Sequence, residues 1–176
     1  MVSKGTRYLY QTTWGANVPP NFQGQDTQVQ LGQRLRFARA GWIVGARYFR
    51  NTGDGFEHLA FLRVIPGFQI VRSATFLHKP ATVPAGDDGW QHAYFRPRLR
   101  VEVGGEVVLC VYTTGGIFYF ESAGCAQQRT FGDIVLPASG ENGLSNGVYA
   151  YSSMQPPAST FNANRYGIDV LFLVGE

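Results

Sequence analysis

Apolar and polar residues alternate along most of this chain, and the alternating runs are short. Successive side chains of a β-strand point to opposite faces, so this pattern predicts strands; no long window has the three- and four-residue spacing of an amphipathic helix. Glycine- and proline-rich segments such as NTGDG and IPG separate the runs. The predicted strands are Val29 to Phe37, Trp42 to Arg50, His58 to Val64, Phe68 to Leu77, Trp90 to Phe95, Glu106 to Thr113, Ile117 to Glu121, Gly147 to Tyr151 and Tyr166 to Val174.

Many short strands without helical crossovers predict an all-β fold, an antiparallel β-sandwich of the jelly-roll type. We expect a single domain over residues 1–176, in which residues 1–28 form either an extended N-terminal arm or the first strand. Two segments, His78 to Gly89 and Ser122 to Asn146, are too long for hairpin turns. Loops of that length are usually functional or mobile.

Motifs in several predicted strands resemble one bacterial family. The segment Leu31 to Leu62 is similar to the opening of the family known as domain of unknown function forty-eighty-two, which has an LG-x-x-F strand, a G-x-I-x-G-x-R-F-Y strand and an N-x-G-x-H turn. The matching positions are Leu31, Gly32, Phe37, Gly41, Ile43, Gly45, Arg47, Tyr48, Phe49, Asn51, Gly55 and His58. GWQHAYF, VEVGGEVVLCVYTTGGIFYF and NRYGIDVLF resemble its later strands, so the similarity runs from about Tyr8 to Val174.

The chain departs from the family pattern at three places. Gly167 stands where the family has tryptophan, Val108 stands where its hairpin has tyrosine, and the loop from Pro80 to Asp88 is enlarged. The resemblance implies a jelly roll like those of carbohydrate-binding modules. Such domains are appended to bacterial secreted and surface proteins and are also found in bacteriophage virion proteins. It implies no known chemistry.

The stretch from Gly147 to Phe172 is rich in aromatic residues. Exposed rings beside amide side chains suit a sugar, because the rings stack on its apolar face and the amides hydrogen-bond its hydroxyls. The candidate glycan-binding residues are Tyr149, Tyr151, Phe161, Asn162, Asn164 and Tyr166. The competing interpretation is the closing strand of a core, with Tyr149 or Tyr151 packed inward and its hydroxyl at the rim.

Asp169 lies among apolar residues in the segment YGIDVLF. Burial of an unpaired carboxylate is costly, so Asp169 requires a cation or a proton. Arg47 also lies in the middle of a predicted strand. We therefore predict a structural ion pair between Arg47 and Asp169.

Composition indicates a folded chain, with 44% hydrophobic and only 15% charged residues. The formal net charge is +3, but the basic residues are scattered among acids, so we expect no nucleic-acid partner. Two groups of arginines predict solvated strand faces, with an anionic polymer or an acidic neighbouring subunit as the alternative. They are Arg34, Arg36 and Arg39, and Arg96, Arg98 and Arg100.

The sequence has neither a secretory signal nor an apolar run long enough to span a membrane, so we expect folding in a cytoplasm and no membrane partner. It contains two cysteines. Cys110, inside the apolar run VVLCVY, is predicted to be a buried free thiol, with a disulfide to Cys125 as the alternative.

Neither a catalytic residue nor a cofactor is predicted. The histidines, His58, His78 and His92, lack the spacing of a zinc site. His58 is interpreted as a polar plug at a strand start that bonds to the turn before it. The acids lie mostly in loops, and no pair is placed for glycoside hydrolysis. A structural calcium ion at Asp54 and Glu57, or at Asp87 and Asp88, remains an open alternative.

These observations favour a non-enzymatic surface protein of a bacteriophage virion, either a capsid decoration or a minor tail protein, assembled in the host cytoplasm. Its expected partners are neighbouring virion structural proteins of the capsid or tail and further copies of itself in a homo-oligomer, with host cell-surface glycans as an additional class. The alternative is a carbohydrate-binding module that accompanies a secreted glycan-processing enzyme. A hydrolase in its own right is the third class.

Overall fold

The computed structural model describes residues 10–15, 17, 19–20, 22–50, 54–76, 89–115, 117–152 and 154–175. Their secondary structure consists of strands and one 3-10 turn, Glu141–Gly143. The strands are β1 Phe22–Gln25, β2 Val29–Phe37, β3 Gly41–Phe49, β4 His58–Val64, β5 Ile70–Phe76, β6 Trp90–Val101, β7 Glu106–Thr113, β8 Ile117–Glu121, β9 Arg129–Phe131, β10 Ile134–Leu136, β11 Val148–Ala150, β12 Ser159–Thr160, β13 Arg165–Tyr166 and β14 Ile168–Val174. Within these ranges no helix is long and apolar enough to cross a membrane.

The strands form antiparallel sheets on two sides of a common core. One sheet has the order β12-β11-β2-β7-β4-β5, with the β9-β10 hairpin paired to β2. The facing side consists of two three-stranded sheets, β14-β3-β6 and β1-β8-β13. Gly167 joins these two, since its N–H donates to the Tyr119 carbonyl (2.7 Å) and its carbonyl accepts from the Phe49 N–H (2.8 Å). The predicted strand from Tyr166 to Val174 is therefore divided at Gly167, where the chain passes from one sheet to the next.

The fold is all-β and antiparallel, as predicted. Along the chain, β2 lies in one layer, β3 in the other, β4 and β5 in the first, β6 in the second and β7 again in the first. This alternation between facing sheets is typical of a jelly-roll sandwich.

Two differences from the predicted elements concern segments without clean alternation, and a third predicted segment is mostly not described. The predicted loop from Ser122 to Asn146 contains β9 and β10, each only three residues long. β6 continues past Phe95 to Val101, although it contains Pro97. The predicted loop from His78 to Gly89 lies outside the described residues as far as Asp88, and Asp87 and Asp88 lie outside them with it.

The main core lies between the layers and is built from inward-facing aliphatic and aromatic side chains such as Leu35, Leu109, Val170 and Phe172. A second apolar cluster, around Phe61, Val108 and Cys110, lies on the outer face of the larger sheet. Because both faces of that sheet are covered, β2 is buried at almost every position instead of at every second one.

Of the first predicted solvated group of arginines, Arg39 is exposed and Arg36 half-buried, but the prediction is wrong for Arg34. Arg34 is 1% exposed. Its Nε lies 3.2 Å from Glu106 Oε2, and its Nη1 donates to the carbonyls of Glu141 and Leu144. Alternation alone did not reveal that the segment from Glu141 to Leu144 covers the outer face of β2. That face is therefore packed against protein instead of solvated. Arg96, Arg98 and Arg100, by contrast, are exposed along β6, and the Arg98 guanidinium lies 4.1 Å from the ring centroid of Trp42.

Both cysteines are free and buried, as predicted for Cys110; the disulfide alternative is wrong. Burial raises the pKa of each thiol to about 12. Both side chains are therefore small apolar core residues rather than reactive groups.

Candidate functional site: an aromatic pocket

A pocket of about 340 Å³ opens between the start of β2 and the sheet formed by β1, β8 and β13. Five of the six residues proposed as a glycan site line it. The lining residues are Gln23, Gly24, Gln25, Asp26, Val29, Leu31, Phe118, Phe120, Tyr149, Tyr151, Phe161, Asn164 and Tyr166. Asn162 is the sixth proposed residue and does not line the pocket.

One wall of the pocket is set by β1 and β8, which pair antiparallel with Gly24 opposite Phe118. A Cβ atom on Gly24 would lie only 2.3 Å from Cζ of the Phe118 ring. Glycine therefore allows the ring to lie directly against the backbone of β1. The Phe118 ring also meets Tyr166 edge to face, with centroids 6.0 Å apart.

Tyr149 of β11 and Tyr151, the residue after that strand, form the opposite wall. Tyr149 pairs with Leu31 on β2 and is half-buried against the core, whereas Tyr151 is 62% exposed. Their rings meet edge to face with centroids 5.6 Å apart. Tyr149 thus packs inward as one interpretation of the sequence predicted, and Tyr151 remains available to a ligand.

A tight turn between β12 and β13 carries the remaining predicted residues. The Asn164 N–H donates to the Phe161 carbonyl (3.1 Å), and Asn162 and Ala163 between them both have positive φ. Two central residues with positive φ are the signature of a type I′ turn, in which asparagine is favoured. Asn162 is exposed in this turn and supplies one of its two positive-φ positions. The turn leaves the Phe161 ring 60% exposed at the pocket edge.

Asn164 is 2% exposed, and its position depends on Gly147. Gly147 has a φ of +64°, and a Cβ atom there would lie 1.8 Å from the Asn164 carbonyl oxygen. Any side chain at Gly147 would therefore move the turn. The Asn164 side-chain oxygen accepts a bond from the Ala123 N–H (3.4 Å), which fixes the amide in the pocket wall.

Several polar groups around the pocket are available to a ligand. The side-chain amides of Gln23 and Gln25 and the hydroxyls of Tyr149 and Tyr166 make no hydrogen bond within the part of the chain that the structure describes. Tyr151 Oη donates to Asp26 Oδ2 (3.1 Å), and this hydrogen bond to the carboxylate raises the pKa of Tyr151. Burial raises the pKa of Tyr166, so its hydroxyl stays a donor at neutral pH.

The predicted contact between Arg47 and Asp169 is present, and neither residue lines the pocket. Arg47 Nη2 lies 2.7 Å and Nε 3.1 Å from Asp169 Oδ2. The carboxylate also accepts the N–H groups of Thr13 and Trp14 at 2.7 and 2.9 Å. The pair therefore anchors the N-terminal segment on β14, as does the bridge between Gln11 and Phe172. The described part of the proposed arm thus packs on its own domain, while β1 is a strand.

A second cluster of buried polar side chains surrounds His58. His58 is itself fully buried, as expected for a polar plug at a strand start. Its Nε2 lies 2.8 Å from Asp54 Oδ2, in the turn before β4. Burial opposes ionisation of Asp54, but the bonds from His58 and from the Phe56 N–H outweigh it and lower the pKa of Asp54. Arg50 lies 3.6 Å from the same carboxylate. Asp54 is thus already paired, and among the described residues no group of three potential ligands could hold a metal ion.

The sequence analysis missed eight of the thirteen lining residues of the pocket. Gln23 and Gln25 lie in β1 and Asp26 follows it, in the segment for which the sequence left an arm and a first strand as alternatives, and Phe118 was assigned only to a strand. The available signal was the segment FQGQD, in which alternate glutamines flank a glycine. Pairing across the glycine to Phe118 is visible only in the folded chain.

The profile of a protein family described as a domain of unknown function (DUF4082) matches residues 16–168, which is most of the chain. The match includes every lining residue of the pocket. The curated proteins contain no match to the chain.

Proposed function

The chain belongs to the DUF4082 family, and we propose that this member is a non-catalytic binding module whose aromatic pocket takes a sugar unit of a glycan. One observation carries the proposal: residues chosen from sequence for sugar recognition lie around a single pocket of about 340 Å³. Small-molecule pockets span about 300–1,000 Å³, so this volume suits one small unit and not a long chain.

The chemistry of the lining supports a sugar over a wholly apolar ligand. Phe118, Tyr149 and Tyr166 offer ring surfaces for the C–H face of a sugar, and the amides of Gln23 and Gln25 offer donors and acceptors for its hydroxyls. Such a mixture of apolar walls and a few polar groups is typical of ligand sites.

The carboxylates of the pocket support binding without turnover. Hydrolysis of a glycosidic bond requires two carboxyl groups, about 5–5.5 Å or 6.5–9.5 Å apart. Asp26 is the only acid among the described lining residues, and Tyr151 occupies one of its oxygens.

We propose further that the module works in many copies on the surface of a bacteriophage particle, as a capsid decoration or minor tail protein that contacts neighbouring virion subunits. A small pocket of this kind supplies on the order of 4 kcal/mol, a millimolar dissociation constant. Multiple copies multiply such an affinity by about 10² to 10⁴. The second setting is a carbohydrate-binding module beside a secreted glycan-processing enzyme. There, attachment to the enzyme would compensate for the weak affinity of a single pocket.

The pocket is tested by titrating the protein with a panel of methyl glycosides while recording amide NMR shifts. We expect shifts centred on Gln23 to Asp26 and on Phe161 to Tyr166. Phe161→Ala should weaken binding about tenfold or more. The matched control is Tyr94→Ala, which removes a ring of similar exposure (52%) from β6, outside the pocket. Equal effects of the two variants, or no binding by any glycoside, would refute the proposed function.

The setting is tested separately by mass spectrometry of purified phage particles. Peptides of this chain in stoichiometric amounts support the virion setting. Their absence, together with glycan binding by the isolated protein, supports the second setting.

A further inference from the structure

The charges of the pocket lining bear on which sugars the pocket would take, an inference that rests on the proposed function and deepens it. Asp26 is the only charged side chain among the described lining residues, and the lining contains neither arginine, lysine nor histidine. We infer that the pocket takes neutral or amine-bearing sugar units and discriminates against sugars that carry carboxylate or sulfate groups.

The nearest arginine in sequence does not supply a positive charge to the pocket. Arg165 precedes Tyr166 in β13, so alternation places its side chain on the opposite face of the strand. Its Nη2 donates to the Thr13 carbonyl (2.7 Å), Nη1 lies 3.2 Å from Glu121 Oε2, and the guanidinium lies 3.6 Å from the ring centroid of Trp14. The same Glu121 oxygen also accepts from Arg129 Nη1 (2.7 Å). Both guanidinium groups are therefore committed to an acid outside the pocket.

Arg63 of β4 is also hydrogen-bonded away from the pocket, here to backbone carbonyls. Arg63 lies on the outer face of the larger sheet, where it donates to the carbonyls of Phe68 and Met154. None of the described lining residues is therefore a cation that could neutralise an acidic ligand, and Arg63, Arg129 and Arg165 bind other groups.

Asp26 itself has one oxygen available. Oδ2 accepts the bond from Tyr151, while Oδ1 accepts none within the described residues. A carboxylate oxygen is a strong acceptor for a sugar hydroxyl and stronger still for an ammonium group. The same oxygen repels a ligand carboxylate, and the repulsion is large because like charges a few ångströms apart near a protein surface interact strongly.

The experiment compares matched ligands that differ only at C6: methyl glucoside with methyl glucuronide, and methyl galactoside with methyl galacturonide. Dissociation constants come from amide NMR titrations at low ionic strength. For the better-bound pair we expect the uronide to bind at least tenfold more weakly than the neutral glycoside, which corresponds to about 1.4 kcal/mol. The corresponding 2-amino sugar should bind at least as well as the neutral one. Raising the salt to about 0.5 M should reduce the ratio of the dissociation constants of the uronide and the neutral glycoside, since exposed charges are then screened.

Asp26→Asn should bring the uronide to within about threefold of the neutral glycoside. The control is Glu102→Gln, which makes the same change in net charge at an acid paired with Arg100 outside the pocket and should leave the ratio unchanged. Equal or tighter binding of the uronide by the unaltered protein would overturn this inference but leave glycan binding intact. Failure of neutral, amino and acidic sugars alike to shift the pocket residues would overturn the proposed function, and this inference with it.

Discussion

The surroundings of Asp169 and the aromatic pocket contain the same kinds of side chain in opposite arrangements. Around Asp169 the polar groups bind one another, and guanidinium groups cover the rings: Arg47 lies 4.2 Å from the centroid of Trp90, and Arg165 covers Trp14. Around the pocket the rings of Tyr151 and Phe161 are open to solvent. An aromatic residue beside an arginine or an amide therefore indicates a binding site only where the polar group is still free.

The largest expected effect is the loss of stability on removal of the Asp169 carboxylate, whose polar neighbours all bind to it or to one another. Asp169→Ala should lower the free energy of unfolding by about 3–5 kcal/mol, because it leaves the buried Arg47 guanidinium without its carboxylate and the N–H groups of Thr13 and Trp14 without an acceptor. Urea denaturation measures the loss. The control is Glu102→Ala, which breaks an exposed pair with Arg100 and should cost less than about 1 kcal/mol. Similar losses of unfolding free energy in the two variants would contradict the expected difference between the buried and the exposed ion pair.

A smaller effect is expected from filling the space against the pocket wall. Gly24→Ala introduces a methyl group 2.3 Å from the Phe118 ring, so the ring or the strand must move, at a cost of about 1–3 kcal/mol. Gly55→Ala is the matched control, since nothing lies within 4 Å of its Cβ position, and it should change stability by less than about 0.5 kcal/mol. Chemical denaturation distinguishes the two. An unchanged stability of Gly24→Ala would show that the close contact is not required.

Ligand should stabilise the protein by an amount that is independent of the Asp169 region. At ten times the dissociation constant, a bound glycoside raises the free energy of unfolding by about 1.4 kcal/mol. We expect the same increment in Thr13→Val, which removes the 2.8 Å hydroxyl bond to Asp169 and lowers the starting stability. Thermal denaturation with and without ligand provides the measurement. A different increment in the variant would mean that the two regions are coupled.

The smallest effect is a difference between tyrosines at high pH. Tyr151 is exposed and should titrate reversibly in the folded protein, with a pKa above that of a free tyrosine because it donates to Asp26. Asp26→Asn should lower that pKa, as followed by the NMR shift of the ring carbon that bears the hydroxyl. A pKa that does not change in the variant would contradict this cause.

Tyr48 provides the buried counterpart, because its burial in the core raises its pKa. The folded state then keeps the proton that the unfolded chain loses near pH 10, so this part of the stability is intact below about pH 10 and declines as the pH rises from there. Tyr48 should therefore ionise only as the protein unfolds, and absorbance and circular dichroism should change together.

Most of the sheet architecture follows from the sequence, because strands with one core face alternate visibly. β3, β4 and β7 lie within one residue of their predicted limits. β9 and β10 were not predicted, since three residues are too few to show a period. The burial of Arg34 was also not predictable, because alternation alone cannot tell solvent from a second packed segment.

The site was only partly predictable, for a related reason. Tyr149 and Phe161 lie close together in sequence, so local composition pointed to them. Gln23 and Phe118 reach the same pocket from segments far apart in the chain, and only strand pairing brings them there. The contact of Arg47 with Asp169 is equally distant, yet it was predictable because a buried charge requires a partner.

The bonds from Thr13 and Trp14 to Asp169 join positions 156 and 155 residues apart. During synthesis on the ribosome, the carboxylate that holds this early segment emerges only when almost all the preceding sandwich has been made. Until β14 arrives, the free edge of β3 remains exposed to other nascent chains. The protein is therefore expected to complete its folding late, and slowly for its size, because so many of its pairings are distant in sequence.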